Sequence, residues 1–363
     1  MSTTVSAAVV AGVDEPPKIE RITLNEPGPG QVRVRLAAAG VCHSDLSLAQ
    51  GVLPQKLPAV LGHEGAGTVE AVGPGVTGLE PGASVVLNWT PPCRACWYCD
   101  NGEPYLCEHG MDAAQQAYGK RADGTAVYPG LGTAAFAEAT VVPVNGVVPM
   151  PEGVDAATAA LLGCAVLTGW GAVTNTAGVR AGQSAAVIGL GGVGLAALQA
   201  AALAGADPVI AVDASPGKRD LALALGATHF VQAGSELAGE VRALTGGRGV
   251  DHAFEVVGSS TTIRAAWDIS RRGGGVTVVG AGALGDSVSF SALEIFHQAR
   301  TLRGCFYGSC DPDRDVPLVA DHVRGGGLDL ATMVTDEVGL DELPEAFQRM
   351  RDGRGGRSLI RFD

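Results

Sequence analysis

The chain is short of charge, and above all of positive charge. Only 17% of its 363 residues are Asp, Glu, Lys or Arg, and 38 acids against 25 bases leave a formal net charge of −13. No basic stripe is present to displace counterions from a phosphate backbone, which argues against nucleic acid as a partner. The first residues, MSTTVSAAVVAGV, lack the positive stretch of an export signal and carry only a short apolar run. They read as a first β-strand, and a cytoplasmic location is expected. Internal repeats and low-complexity tracts are absent. Strongly hydrophobic runs are absent too. The 26 uncharged residues from Ala181 to Ala206 could span a bilayer by length, but they are mostly Ala and Gly, too weakly apolar to insert. This run also divides into a strand (SAAVI), a turn (GLGGVG) and a helix (LAALQAAALAGA), so no membrane association is expected.

What is present in quantity is small and apolar. Forty-six per cent hydrophobic residues and 53 glycines describe a well-buried, turn-rich α/β protein, long enough for two domains. The first 150 residues read as short strands broken by Gly and Pro: QVRVRLAAAGV, GTVEAVG, ASVVLN and AEATVVPV alternate as half-buried strands do. A polar stretch between Cys107 and Gly132 reads as a surface loop. After Pro151 the texture changes. DAATAALLGCAVLTGWGAVTNTA has helical periodicity. Then strands (SAAVIG, PVIAVD, HFVQ, DHAFEVVG, GGGVTVVG, TLRGCFYG) alternate with helices such as SPGKRDLALALG. Such alternation predicts a doubly wound parallel sheet with helices on both faces. The C-terminal stretch, ending in LIRFD, reads as helix plus strand returning to the first domain.

Half of the eight cysteines fall within fifteen residues, as Cys93-x2-Cys96-x2-Cys99-x7-Cys107. Thiolates at such intervals can converge on one tetrahedral Zn²⁺ and leave no open position, so the lobe is read as a structural zinc site. Two disulfides would instead require an oxidising compartment. Gly189-x-Gly191-x-x-Gly194 follows the strand SAAVI and opens the Ala-rich helix, with Gly192 and Val193 inside the motif. Glycines there let a backbone approach a pyrophosphate at a helix N-terminus. Asp213 ends the next strand, 19 residues after Gly194. Its carboxylate suits the two hydroxyls of an adenosine ribose and repels a 2′-phosphate, so NAD is expected over NADP, with Lys218 a second candidate for the same ribose. Cys42-His43-Ser44-Asp45, His63-Glu64 and Cys164 hold further zinc-ligand types. Two Cys and one His with an open position form a known catalytic set, although each residue taken singly has a plain reading as core.

Together these segments resemble the zinc-dependent medium-chain alcohol dehydrogenases. GVCHSD, GHEGAGTVEAVG, the four-cysteine lobe, LLGCAVLTGWGA, VIGLGGVG, AVDASPGK and FEVVG occur in the family's order. The resemblance implies a mainly β, GroES-like catalytic domain (1–165 and 306–363) and a Rossmann NAD-binding domain (166–305). Two Zn²⁺ and NAD are the implied cofactors, and a small alcohol or aldehyde the substrate. Cys42, His63 and Cys164 would bind the catalytic zinc, with Glu64 just behind as an indirect or transient ligand and Asp45 orienting His63. Ser44 would touch the alcohol proton, Thr168 would press on the nicotinamide, and His43 and Arg357 would meet the pyrophosphate. Trp89 and Phe136 would wall the substrate pocket. Zinc would lower the pKa of the alcohol hydroxyl, and the nicotinamide would take the hydride. The chain is similar in particular to aryl-alcohol and thiol-dependent formaldehyde dehydrogenases, the latter acting on S-(hydroxymethyl)thiols. A homodimer or homotetramer is expected. Many relatives carry a histidine three residues after the Ser/Thr to pass the proton out. Ser47 stands there in this chain, leaving His43, bulk water or the ribose hydroxyls as the end of the path. Cys305 and Cys310 are left over and read as ordinary thiols near the domain junction.

Overall fold

The computed structural model describes residues 3–362. Its N-terminal half is built on antiparallel sheet. Thr4–Val10, Lys18–Leu24, Gly119–Lys120, Ala126–Pro129 and Ala59–Val60 close into a small barrel. A seven-stranded sheet beside it is centred on Gln31–Val41, which pairs with Glu64–Val72, Ala139–Pro143 and Arg357–Arg361. Strict alternation along the first part of Gln31–Val41 puts Val32, Val34 and Leu36 into the core; at its end Ala38–Val41 are nearly all covered. That end, buried on both faces, is where the functional residues begin. The segment read as a loop between Cys107 and Gly132 is partly structured. Two short strands in it complete the barrel, because Gly119 and Lys120 add to the open edge of Lys18–Leu24.

The second half is a six-stranded parallel sheet. Its order is His229–Gln232, Val209–Asp213, Ala185–Ile188, Val250–Glu255, Ser270–Val278, Thr301–Gly304, so the strands run 3-2-1-4-5-6 in chain sequence. Strand order reverses between the first and fourth, and the crevice beyond their carboxyl ends is where such sheets bind ligands. Among the described residues, no single helix is long and apolar enough to cross a membrane.

One expectation is refined and one is corrected. The helical run from Asp155 to Ala177 is not one helix. It breaks between Ala156–Leu162 and Ala165–Gly171, with Cys164 at φ −149°, ψ −71°, and ends in a π-type turn. The break turns the Cys164 thiol inward and frees the Ala165 amide to donate to Glu64 (3.0 Å). The strand read through TLRGCFYG stops at Gly304, because the following residues enter a tight turn with Tyr307, Gly308 and Ser309 all at positive φ.

Candidate active site

The strand Gln31–Val41 delivers Cys42 to the N-cap of the short helix His43–Ala49. Asp45, on its first turn and wholly buried, accepts the Cys42 amide at 3.1 Å and the Gly62 amide at 2.9 Å. The oxygen bonded to Gly62 also faces Nδ1 of His63 at 3.0 Å. One carboxylate therefore fixes the Cys42 turn and the ring of His63, leaving Nε2 to the cysteine side of the site. The helix break brings Cys164 to the same place. Donor atoms of Cys42, His63, Glu64 and Cys164 all lie within 4.8 Å of one another, and all four residues are buried. Glu64 in turn pairs with the buried Arg357 guanidinium through both carboxylate oxygens, one at 3.1 Å. Gly40 makes room for it: a Cβ there would stand 2.0 Å from a Glu64 oxygen.

The electrostatics follow from this crowding. Cys42 is pulled well below its ordinary pKa, first by a hydrogen bond from Cys164 and then, against burial, by Arg357 and His63, while Cys164 moves up. Burial alone would lower His63, but Asp45 and Cys42 outweigh it and hold the ring well above its usual value. Burial raises Glu64 to about 7, with Arg357 opposing. Two soft sulfurs and a borderline imidazole, with their donor atoms within 4.8 Å of one another, suit Zn²⁺.

The four-cysteine lobe is a second such set, its sulfurs within the same 4.8 Å limit. Amides of Cys93 and His109 point at the Cys107 sulfur (3.2 and 3.4 Å) and oppose the burial that pushes this thiol up to about 12, while amides of Cys99 and Glu108 pull the Cys96 thiol down to about 6. Amide donors of this kind favour thiolates, the state a metal needs.

The crevice of the parallel sheet opens beside the first cluster. Gly189 sits at φ +95°, a left-handed turn, and a Cβ on Gly194 would meet the Gly189 carbonyl at 1.9 Å. A Cβ on Gly191 would meet nothing within 4 Å, so that glycine faces open space where a dinucleotide can lie. Gly192, Val193, His43 and Arg357 line the same cleft. Asp213 accepts the amides of Leu190 (2.8 Å) and Ser215 (2.9 Å), and Lys218 reaches it at 3.4 Å. The cradle fits a dinucleotide. Val256, Val257 and the Gly353–Gly356 stretch with Arg354 also line it. The sequence reading missed these. Val256 and Val257 lie in the FEVVG motif, and the glycine-rich RDGRGGR run was the local signal for the rest.

On the other side, Trp89 packs edge-on to His63 (centroids 6.0 Å), Phe306 (5.2 Å) and Tyr307 (5.1 Å). Phe306 is partly exposed, whereas the Tyr307 hydroxyl donates to the carbonyl of Gly163, next to Cys164 (2.7 Å). Neither was found from sequence, since the strand reading ran through them. Phe136 differs from its expected place. Its ring is fully buried behind Gly62 and against Phe347, in the barrel core and not on an open wall. Thr168 is buried with its hydroxyl 4.0 Å from the Cys164 sulfur, and Ser44 lies 3.8 Å from Cys42. Ser47 is buried.

Comparison with known proteins agrees with this geometry. Residues 28–152 match the alcohol dehydrogenase GroES-like domain, and residues 192–324 match the zinc-binding dehydrogenase family. An NDMA-dependent alcohol dehydrogenase of Amycolatopsis methanolica is 36% identical over 98% of both chains. The chain belongs to the zinc-dependent medium-chain alcohol dehydrogenases. This dehydrogenase is also 33% identical to the S-(hydroxymethyl)glutathione dehydrogenase of Paracoccus denitrificans, over 98% of its own length and 99% of the relative's. The benzyl alcohol dehydrogenase of Acinetobacter calcoaceticus superposes with a TM-score of 0.91 at 30% identity, covering 99% of this chain and 100% of the other. It is thus an oxidoreductase that moves hydride between an alcohol and NAD, with two zinc sites.

Proposed function

We propose that this dehydrogenase oxidises aromatic primary alcohols, or reduces the corresponding aldehydes. The observation that carries this is the aromatic wall of Trp89 and Phe306 beside His63, which suits a flat ring and offers no charge to an ionic substrate. Aromatic rings pair favourably edge to face, worth about 0.5–1.5 kcal/mol beyond area burial. When bound, zinc lowers the pKa of the alcohol hydroxyl and NAD accepts the hydride. The chain's own residues do the rest. Cys42, His63 and Cys164 hold the metal, Asp45 fixes the imidazole, and Glu64 sits behind as reserve carboxylate. Ser44, half-buried on the first turn of the helix after Cys42, takes the hydroxyl proton and passes it toward the exposed His43 or water. Gly189–Gly194 and Arg357 receive the pyrophosphate, Asp213 and Lys218 the ribose, and Thr168 backs the nicotinamide.

The test is NADH formation with benzyl alcohol, ethanol, and formaldehyde plus glutathione or mycothiol. A clear preference for benzyl alcohol supports the proposal. Activity that depends on added thiol would overturn it in favour of an S-(hydroxymethyl)thiol substrate, the reading that the Paracoccus relative's name favours.

The same reading divides the chain at 165/166 and 305/306, supported by the two sheets. A homodimer or homotetramer is supported by exposed Leu293 and Phe296 on the helix leading into the open edge strand Thr301–Gly304. All eight cysteines are free, which fits a reducing cytoplasm. Light scattering of the purified protein reads the assembly: a monomer at micromolar concentration would refute it.

A further inference from the structure

The four-cysteine lobe does more than hold itself together. Arg94 lies between its first two cysteines and adopts φ +60°, a left-handed conformation that costs an arginine about 1 kcal/mol. Its guanidinium leaves the lobe and grips the start of the helix Pro312–Arg324. It bonds Asp311, the N-cap, at 2.7 Å, and Asp313 at 2.6 Å. That helix follows directly on the turn carrying Phe306 and Tyr307. Three successive residues of the turn, Tyr307, Gly308 and Ser309, have positive φ, and two of them are not glycine. Such a conformation persists only where its surroundings hold it. At the other end of the same lobe segment, Trp89 packs on both aromatic rings. Segment 89–94 thus touches segment 306–313 at two points, one apolar at the cleft and one ionic outside it.

We infer that Arg94 is a positioning residue, through which the four-cysteine lobe fixes the turn bearing Phe306 and Tyr307 and so sets selectivity for bulky alcohols. The ionic contact is partly exposed, with Arg94 41%, Asp311 25% and Asp313 65% exposed. Solvent limits its strength, but it is two-point and its geometry is transmitted by a cap. Asp311 is further tied by its amide to the buried Asp315 (2.9 Å), which Asn175 also reaches (3.3 Å). Losing Arg94 therefore loosens one anchor of the turn without unfolding it. The effect on substrate selection rests on the reading that the ring of the alcohol lies against Trp89 and Phe306. The effect on the turn does not.

The test uses the zinc-loaded enzyme with Arg94→Gln, Arg94→Lys and Asp313→Asn. Zinc content should stay at two per chain. Amide exchange of residues 309–311, now bonded to Phe306, Tyr307 and Asp315, should quicken in Arg94→Gln by roughly two- to fivefold, the scale of a surface ion pair. Exchange in 185–203 should not change. The KM for benzyl alcohol should rise by a similar factor with kcat within about twofold, while ethanol is unaffected; Arg94→Lys should recover part, and Asp313→Asn should add little to Arg94→Gln. Unchanged exchange at 309–311 overturns the inference. So does an equal loss on both alcohols with departure of zinc, which would mean that Arg94 only stabilises the lobe. Quickened exchange in a chain that shows no preference for benzyl alcohol would uphold the anchoring and refute the proposed substrate class instead.

Discussion

Asp45 shows how much one side chain can decide. It holds two amides and one imidazole nitrogen, all while wholly buried. Asp45→Asn keeps the size and the amide contacts of one oxygen but removes the charge that raises His63. Zinc affinity at the Cys42–His63–Cys164 site should fall about 10–100-fold, read by competition with a chelator, with the four-cysteine site unaffected. Ser44 is tested differently. Positioned proton transfer contributes about 10²–10⁴-fold, so Ser44→Ala should lower turnover within that range while leaving NAD dissociation within a few-fold. Raising pH should restore part of the loss; undiminished turnover would refute the proton path. Ser47→Ala should be silent on the proton, since a buried aliphatic hydroxyl cannot act as a base near pH 7. At the ribose, Asp213→Ser should narrow the preference for NAD over NADP, and a wild-type enzyme that uses both equally would contradict the role given to Asp213.

Among elements, the helix Ala292–Gln298 offers a pH test away from either metal. Arg264, and then the indole N–H of Trp267, hold the Glu294 carboxyl down at about 2 from its ordinary 4.5. A depressed carboxyl stabilises the fold fully above 4.5 and loses that contribution as pH falls through the interval toward 2. Glu294→Gln should therefore melt below wild type at pH 7, with the gap closing as the solution is acidified below 4.5. A gap independent of pH would show that packing and not charge is at stake. The zinc lobe behaves otherwise: Cys96→Ser should cost on the order of several kcal/mol in stability, because structural zinc is coupled to folding. What sequence could and could not reveal divides at this scale. The strand ending in Val41 and the Gly189–Gly194 turn were legible because their signal is local: alternation in one, glycine spacing in the other. The break at Cys164 was not, because its one local signal, Gly163 capping the first helix, sits in a run whose periodicity continues beyond it; the Glu64 contact that rewards the break comes from 101 residues away. Tyr307 and Ser309 are residue types that give no hint of a left-handed turn. Phe136, placed on the pocket wall from resemblance, was instead taken by the core packing of Gly62 and Phe347.

For the whole molecule, the two donor sets predict two zinc ions per chain by elemental analysis. Cys164→Ser should leave one and no turnover with the fold intact, and a wild-type count near one would remove the catalytic set. The two sheets meet over that set, since the strand bearing Cys42 and the turn bearing Gly192 approach from either side, with Arg357 packed against both.

Arg357 has a consequence in time. It lies 293 residues after the carboxylate it neutralises and only a few residues before the end of the described chain. On a ribosome the barrel and the four-cysteine lobe emerge early, and N-terminal units fold first. Until Arg357 leaves the exit tunnel, Glu64 is a carboxylate bound for burial without a counter-charge, and removing one partner of such a pair costs about 3–5 kcal/mol. Completion of the reactive centre of this dehydrogenase therefore waits on the strand Arg357–Arg361, which pairs with Gln31–Val41. A chain cut short before Arg357, by a stop codon or a protease, should be inactive even with every metal ligand in place.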